Sequence, residues 1–315
     1  MFKFDHFFID LVQVLGCEAR RLAVGTAHTA MIDITDVCNL RCPHCYYFHK
    51  LRDLAQEPAA EVWEERFRGL YRDGVRIVLL LGGEPALRQD VLWRADKVFP
   101  FVDVCTNGTV KIPTWFRHRI FLSLDGGPEM HDALRGKGVF SRVMDNYRGD
   151  PRVLIHMMLG KANYKDLETL VRTARENGLR GLCCSLYSPV QGEEDPLMLS
   201  PDQRRAVLDE IRRVRSLFPG VVRMSDRVLA WYVAEHDIRS CYLGRSVLHY
   251  DVSWRKRLCA GQANCAQCGC LSGAIGSPIQ KLFHPREALQ ALQNLGMTQL
   301  NNGPEKGVQS LSANI

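Results

Sequence analysis

The sequence predicts an α/β fold, built on a parallel sheet or an incomplete (β/α)6 barrel. Apolar runs of strand length recur six times, and amphipathic stretches of helix length separate the later ones. Polar segments rich in cysteine and glycine follow the ends of those runs, where such sheets carry their chemistry.

In chain order, "FFIDLVQVLGCEARRLA" has helical periodicity and is expected to pack across the bottom or side of the barrel. Its apolar face of Phe7, Phe8, Leu11 and Leu15, followed by Arg20 and Arg21, makes peripheral membrane contact a second, less favoured reading. "MIDIT" (31–35) reads as the first strand, and a helical pattern through Trp63, Phe67 and Leu70 leads into "VRIVLLLGG" (75–83) as the second. "FVDVCT" (101–106), "RIFLSLDG" (119–126), "RVLIHMML" (152–159) and "GLCCSLY" (181–187) complete the six. "YKDLETLVRTARENG" and "SPDQRRAVLDEIRRVRSLFPG" are helices with Ser, Asn or Asp at their starts and Gly at their stops. Beyond about residue 220 the alternation yields to a cysteine-rich segment, Cys241 to Cys270, then a helical "REALQALQNLG" and a polar tail read as disordered. The expected units are an N-terminal helical extension (1–29), a barrel (30–219), a cysteine-rich domain (220–270) and a terminal helix with its tail (271–315).

Composition restricts the context. The 315 residues are 46% hydrophobic, enough for a large core, and no window is apolar enough to span a bilayer or to serve as a secretory signal. A cytoplasmic address is expected, and there twelve cysteines point to metal or redox chemistry more than to disulfides. The net charge of +6 is scattered apart from short groups such as Arg255, Lys256 and Arg257, so no nucleic-acid partner is expected.

The chemistry concentrates in "DVCNLRCPHCYYF" (36–48), where Cys38, Cys42 and Cys45 stand four and then three residues apart. A structural zinc site needs four protein ligands, so these fit one only if His44 or a distant residue joins. Three thiolates suit a cubane iron-sulfur cluster that leaves one iron open. This spacing after a first strand resembles the radical S-adenosylmethionine (SAM) superfamily. The resemblance implies a partial (β/α)6 TIM-type barrel and a [4Fe-4S] cluster whose open iron is chelated by the methionyl amine and carboxylate of SAM. It also implies one-electron cleavage of SAM to a 5′-deoxyadenosyl radical, with the electron supplied by a donor such as flavodoxin or ferredoxin.

Other segments extend the likeness. Tyr46 or Tyr47 resembles an aromatic that packs on the adenine edge. "LLLGGEPAL" (79–87) resembles a glycine-glycine-glutamate motif: Gly82 and Gly83 would allow close backbone approach to SAM, and the Glu84 carboxylate would take its amine. Thr106 and Asn107 in "CTNGT", and Ser123 and Asp125 in "SLDG", resemble positions that contact the ribose or methionyl part of SAM, or substrate; as plain sequence they also read as caps or turns. His131, Asp132, Arg135, Gly138 and Phe140 match a segment common in the subgroup with additional clusters. Arg135 would hold a carboxylate there, or pair with Asp132 or Glu129 at the surface. Asn163 matches a polar position that faces SAM.

The second cysteine group comprises Cys241 and Cys259, separated by an interval resembling a β-hairpin, then Cys265, Cys268 and Cys270. Spacing alone leaves zinc and iron-sulfur both open. The resemblance leans to a small SPASM or twitch-like domain. With five cysteines rather than the full SPASM complement, it implies one auxiliary [4Fe-4S] cluster on Cys241, Cys259, Cys265 and Cys268, with Cys270 as the alternate fourth ligand. Cys17, Cys105, Cys183 and Cys184 read as structural, and Trp231, Trp254, His249 and Tyr187 as candidate cavity lining. The implied reaction is hydrogen abstraction, oxidation or bond formation on a small biosynthetic molecule. Radical addition to a lipid alkene stands second and peptide modification third; no catalytic side chain is assigned. A non-enzymatic zinc or iron-sulfur protein is the remaining alternative, and the grouping of Gly82 to Glu84 with Asn107 and Ser123 at strand ends argues against it.

Overall fold

The computed structural model describes Gly16, residues 27–45, Tyr47, and residues 57–179, 181–188, 197–234, 237, 241–259 and 265–271. Apart from Gly16, the expected N-terminal helix with Cys17 lies outside the described residues, as do Tyr46, the terminal helix and the polar tail.

The described elements follow in the order β1 (Thr29–Asp33), α1 (Ala60–Arg72), β2 (Ile77–Leu81), α2 (Gln89–Val98), β3 (Phe101–Thr106) and β4 (Ile120–Ser123). Then come α3 (Pro128–Arg135), α4 (Val139–Tyr147), β5 (Val153–Leu159), α5 (Leu167–Glu176), β6 (Leu182–Leu186) and α6 (Pro201–Leu217). The last are α7 (Asp226–Trp231), α8 (Tyr242–Ser246), β7 (Val247–Tyr250) and β8 (Lys256–Arg257). The strands form one sheet in the order β6-β5-β4-β3-β2-β1-β7-β8, parallel except for β8. This is the α/β architecture of a partial barrel.

Pairing register divides the sheet into two faces, because successive side chains alternate. Ala30, Ile32, Val78, Leu80, Val102, Val104, Ile120 and Leu122 join Trp63, Phe67 and Leu70 of α1 and the apolar faces of the other helices in the main core. Met31, Leu79, Leu81 and Cys105 turn the other way, into the lumen, where they meet Cys241, Leu243 and Val247. Trp63 and Phe67 are fully buried, each contributing about 1.5–3 kcal/mol by burial.

The element boundaries differ from the sequence expectation where local chemistry intervenes. The first strand ends at Asp33 rather than at residue 35, because Thr35 and Val37 leave the regular ladder for single bonds to the residues after β2. Ser200 caps α6 in a full capping box with Gln203, as its sequence suggests. Asp166, at the start of α5, makes no cap: its carboxylate accepts the Gly127 N–H at 2.5 Å instead. The hairpin expected between Cys241 and Cys259 forms as β7 and β8, and it joins the barrel sheet at the edge of β1.

Tyr147 shows how the core fixes a loop. It is fully buried, and its hydroxyl accepts the Ile112 N–H at 2.9 Å and donates to the Val110 carbonyl at 3.1 Å. Tyr147→Phe strands a buried N–H, so urea unfolding should show a loss of about 1–3 kcal/mol with an unchanged denaturant slope.

Candidate cofactor site

The site begins where β1 and β2 end. Gly83 N–H donates to the Thr35 carbonyl and Glu84 N–H to the Val37 carbonyl, each at 2.8 Å. A Cβ on Gly82 would lie 2.3 Å from the Thr35 oxygen, and one on Gly83 2.3 Å from the Val37 oxygen. Gly82 also has φ +129, which L side chains rarely adopt. The two glycines therefore seat the stem of the cysteine loop directly on the end of β2. Glu57 braces the same stem, accepting from Thr35 Oγ1 at 2.5 Å and Asp36 N at 2.8 Å while Arg88 Nη1 holds its second oxygen at 3.1 Å.

Glu84 is buried, and its carboxylate ties β2 to β3. Oε1 accepts Ala86 N at 2.8 Å and Thr106 Oγ1 at 2.6 Å; Oε2 accepts Asn107 N at 2.7 Å. Burial pushes its acidity weaker than usual, and those three donors work against that shift. A carboxylate offers about four acceptor positions, and these three bonds leave one of them on Oε2. Asn107 turns toward the cysteine loop: Nδ2 donates to Asn39 Oδ1 at 2.9 Å and reaches Cys38 Sγ at 3.8 Å, while Oδ1 accepts from Thr109 N and Oγ1. Cys38 Sγ also receives the Leu40 N–H at 3.4 Å.

Cys38, Cys42 and Cys45 are free, half-buried thiols, and the Cys45 N–H closes a turn onto the Cys42 carbonyl at 3.1 Å. Burial raises Cys38, with the charges of Glu84 and Cys45 adding to it. Cys42 is pushed up to about 11 by burial, against the pull of Arg135. Among the described residues no three His, Cys, Asp or Glu side chains close to the spacing of a single metal ion.

Asp125 and Arg135 are brought together behind this loop. Arg135 Nε lies 2.5 Å from Asp125 Oδ2, His44 Nε2 lies 3.0 Å from the same oxygen, and Met158 N–H donates to Oδ1 at 3.0 Å. Burial opposes the Asp125 charge, but Arg135 and His44 outweigh it and hold the carboxyl far below the usual range. Asp132 does not take Arg135; it caps the Gly138 and Phe140 N–H groups at 2.6 and 2.8 Å. Asn163 is buried and bonded to backbone only, donating to the Asp125 and Met158 carbonyls and accepting Gly160 N–H. Ser123 is half-buried on the lumen face, in register with His156. Tyr47 OH reaches the Thr35 carbonyl at 3.2 Å and Asp36 Oδ1, a place in the stem of the loop.

The second cysteine group is anchored to the end of β6. Leu186 N–H donates to the Gly269 carbonyl at 2.9 Å, Gly269 N–H to Ser188 Oγ at 2.7 Å, and Leu271 N–H to Ser185 Oγ at 3.1 Å. Cys265 is raised by burial and by the neighbouring Cys259 and Cys241; Cys268 is pushed up to about 12 by burial, then by Cys270, Cys241 and Cys259. Cys241 and Cys259 thus lie near both Cys265 and Cys268, and Cys270, the largest charge neighbour of Cys268, packs against the lumen cluster of Met31, Leu81, Cys241 and Leu243.

With the geometry in place, comparison with known proteins is decisive at the level of family. The model of the radical SAM superfamily matches residues 32–196, just over half of the chain. The chain belongs to the radical SAM superfamily. Among its relatives, pre-heme d1 synthase of Dinoroseobacter shibae is 28% identical over 196 residues, covering 57% of this chain and 48% of that one. PqqA peptide cyclase of Ruegeria pomeroyi is 30% identical over 184 residues, covering 53% and 49%. The chain thus spans about half the length of these curated relatives. SuiB of Streptococcus suis, solved with S-adenosylmethionine bound, shares the fold at TM-score 0.61 and 18% identity, covering 76% of this chain and 63% of that one.

Radical SAM membership implies a [4Fe-4S] cluster and SAM, and the donor set here fits them. Three thiols in one loop, one of which already receives two N–H donors, with a guanidinium in the field of the other two, suit an anionic cluster. Iron coordination would reverse the burial penalty on the thiolates. Sequence reasoning missed Asn39, Glu57 and the His44 to Asp125 contact. Each is a polar residue whose partner is far away in sequence, so no local pattern announces it.

Gly83→Ala should push the Val37 carbonyl out of place and carry the cysteine loop with it; iron bound after reconstitution should fall to the level of a variant lacking Cys38, Cys42 and Cys45. A pH effect follows from His131 and His156, each brought down to about 4 chiefly by burial from an ordinary 6.5. Between those values the unfolded chain binds more protons, so stability falls as pH drops from about 6.5 to about 4, by up to ~3 kcal/mol for each histidine. Asp125, held low, keeps its contribution throughout that window. Urea midpoints of wild type and His156→Gln across the range should show the flatter profile in the variant.

Proposed function

We propose that this protein is a radical SAM enzyme that reductively cleaves SAM to modify a small-molecule biosynthetic intermediate, assisted by an auxiliary iron-sulfur cluster in a twitch-like segment. The observation that carries this reading is the joint: the three-cysteine loop seated on Gly82 and Gly83, with an acceptor position left on Glu84 beside it. Cys38, Cys42 and Cys45 would hold the first cluster. Backbone at Gly82 and Gly83, Glu84 Oε2 and the unspent N–H groups of Arg135 would hold the methionyl end of SAM, with Ser123 on the lumen side. Bound there, cluster and SAM supply a one-electron bond cleavage that no side chain performs.

In this reading residues 30–219 form the barrel and 220–270 the auxiliary unit. Cys241, Cys259, Cys265 and Cys268 are its preferred ligands and Cys270 the alternate; Cys265 lies in the field of Cys259 and Cys241, and Cys268 in that of Cys270, Cys241 and Cys259. An external one-electron donor such as flavodoxin or ferredoxin completes the system. The name of the pre-heme d1 synthase relative supports a small-molecule substrate. Peptide modification is the second reading, favoured by the PqqA peptide cyclase relative.

The test is anaerobic reconstitution followed by addition of SAM and dithionite. Wild type should bind about eight irons and form 5′-deoxyadenosine, and the Cys38, Cys42, Cys45 triple alanine variant about four irons and no product. About four irons in wild type and none in the variant would remove the auxiliary cluster; zinc without SAM cleavage would overturn the function.

A further inference from the structure

One group of buried polar residues takes no part in the cofactor site. Met31 of β1 pairs with His249 of β7, and His249 pairs with Arg257 of β8. Alternation along the strands then puts Asp33, His249, Asp251 and Arg257 on the lumen face, the face of Met31, Leu79 and Leu81. This places them at the edge of the sheet, at the end from which the first cysteine loop departs.

Their geometry is half complete. Arg257 is committed to Asp251, with Nη2 at 2.9 Å and Nε at 3.3 Å from Oδ2, and Arg255 N–H donates to Asp251 Oδ1 at 2.8 Å. Asp33 is left without such a bond: Arg257 Nη1 stands 3.7 Å from Oδ2, and His249 Nε2 stands 3.7 Å from Oδ1. The Asp33 and His249 side chains are 3% and 2% exposed. Asp33 Oδ1 and both ring nitrogens of His249 have no hydrogen-bond partner.

Buried polar atoms are nearly always paired, so three unpaired atoms within one contact call for a reason. A cluster that served only to close the sheet edge would draw Asp33 and His249 into bonding range. A heteroatom about 2.8 Å from each of two atoms 3.7 Å apart bonds to both, and it must donate to the carboxylate. Two carboxylates facing one guanidinium repel an incoming anion.

We propose that Asp33 and His249 form a substrate subsite for a hydrogen-bond-donating amino or hydroxyl group, with Asp251 and Arg257 as its support. The subsite rests on the reading of the barrel lumen as the reaction chamber. Asp33 lies five positions before Cys38, and Cys241 packs against Met31 and Leu81 on the same face. A group held there lies on the face of the sheet that also carries Cys241.

Three sugars of similar size that differ in charge serve as probes: glucosamine, glucose and gluconate, with binding to the reconstituted protein read by saturation-transfer NMR and titration. Glucosamine and glucose should bind and gluconate should not. Glucosamine affinity should fall about tenfold or more in Asp33→Asn, and His249→Gln should weaken both glucosamine and glucose. Iron content reports whether each variant is folded; if Asp33→Asn fails that check, His249→Gln and the order of the three probes decide. Gluconate binding as tightly as glucosamine, no binding by any probe, or affinities unmoved in folded variants would overturn the subsite. The deoxyadenosine assay on wild type judges the enzyme separately, so failure of either reading leaves the other visible.

Discussion

The structure depends on one close contact, the parallel seating of Thr35 to Val37 on Gly82 to Glu84. Two carbonyl oxygens come within a Cβ radius of two glycines, and every later feature of the site is referenced to that joint. The cysteine loop emerges from one side of it. From the other, Glu84 reaches across to Thr106 and Asn107 at the end of β3, and Asn107 returns to Cys38 and Asn39. Three strand ends are thereby joined in a closed circuit of hydrogen bonds. A loop of three soft ligands gains a fixed orientation from this circuit, together with the packing of Leu40 against the core.

Electrostatics behind the loop follow the same logic. Asp125 is buried, and that would ordinarily favour its neutral form; Arg135, His44 and the Met158 N–H together keep it ionised. Breaking one member of such a network leaves a buried charge uncompensated; the short helix α3, which starts at Pro128, ends on the Arg135 that supplies the partner. The guanidinium sits in the field of Cys42 and Cys45, so it contributes positive potential where thiolates are needed.

Much of this was legible in the sequence. Six strands, the capping of α6 and the three-cysteine loop each have a short-range signature: an apolar run, a Ser with Gln three residues on, a fixed spacing. What was not legible is what depends on distant partners. Gly82 and Gly83 read as space for a ligand; that the cysteine stem also packs on them has no local signature. Asn163 read as facing SAM, and its amide is spent on backbone. Arg135 offered Asp132 or Glu129 by proximity in sequence, but folding presents Asp125. The hairpin between Cys241 and Cys259 could be read, while its attachment to β1 could not, because register between distant strands leaves no local pattern.

That attachment has a consequence for the protein in a crowded solution. An open parallel sheet has two bare rims, each a template for adhesion to another chain. β1 is covered by β7, and the rim passes to β8, only two residues long and formed by Lys256 and Arg257. The opposite rim, β6, is capped at one end by residues 221–223 and at the other by the Gly269 carbonyl. The segments that carry the second set of cysteines therefore also blunt the sheet against self-association. Losing their fold would expose fresh strand edges, and aggregation would be an early sign of a disturbed C-terminal segment.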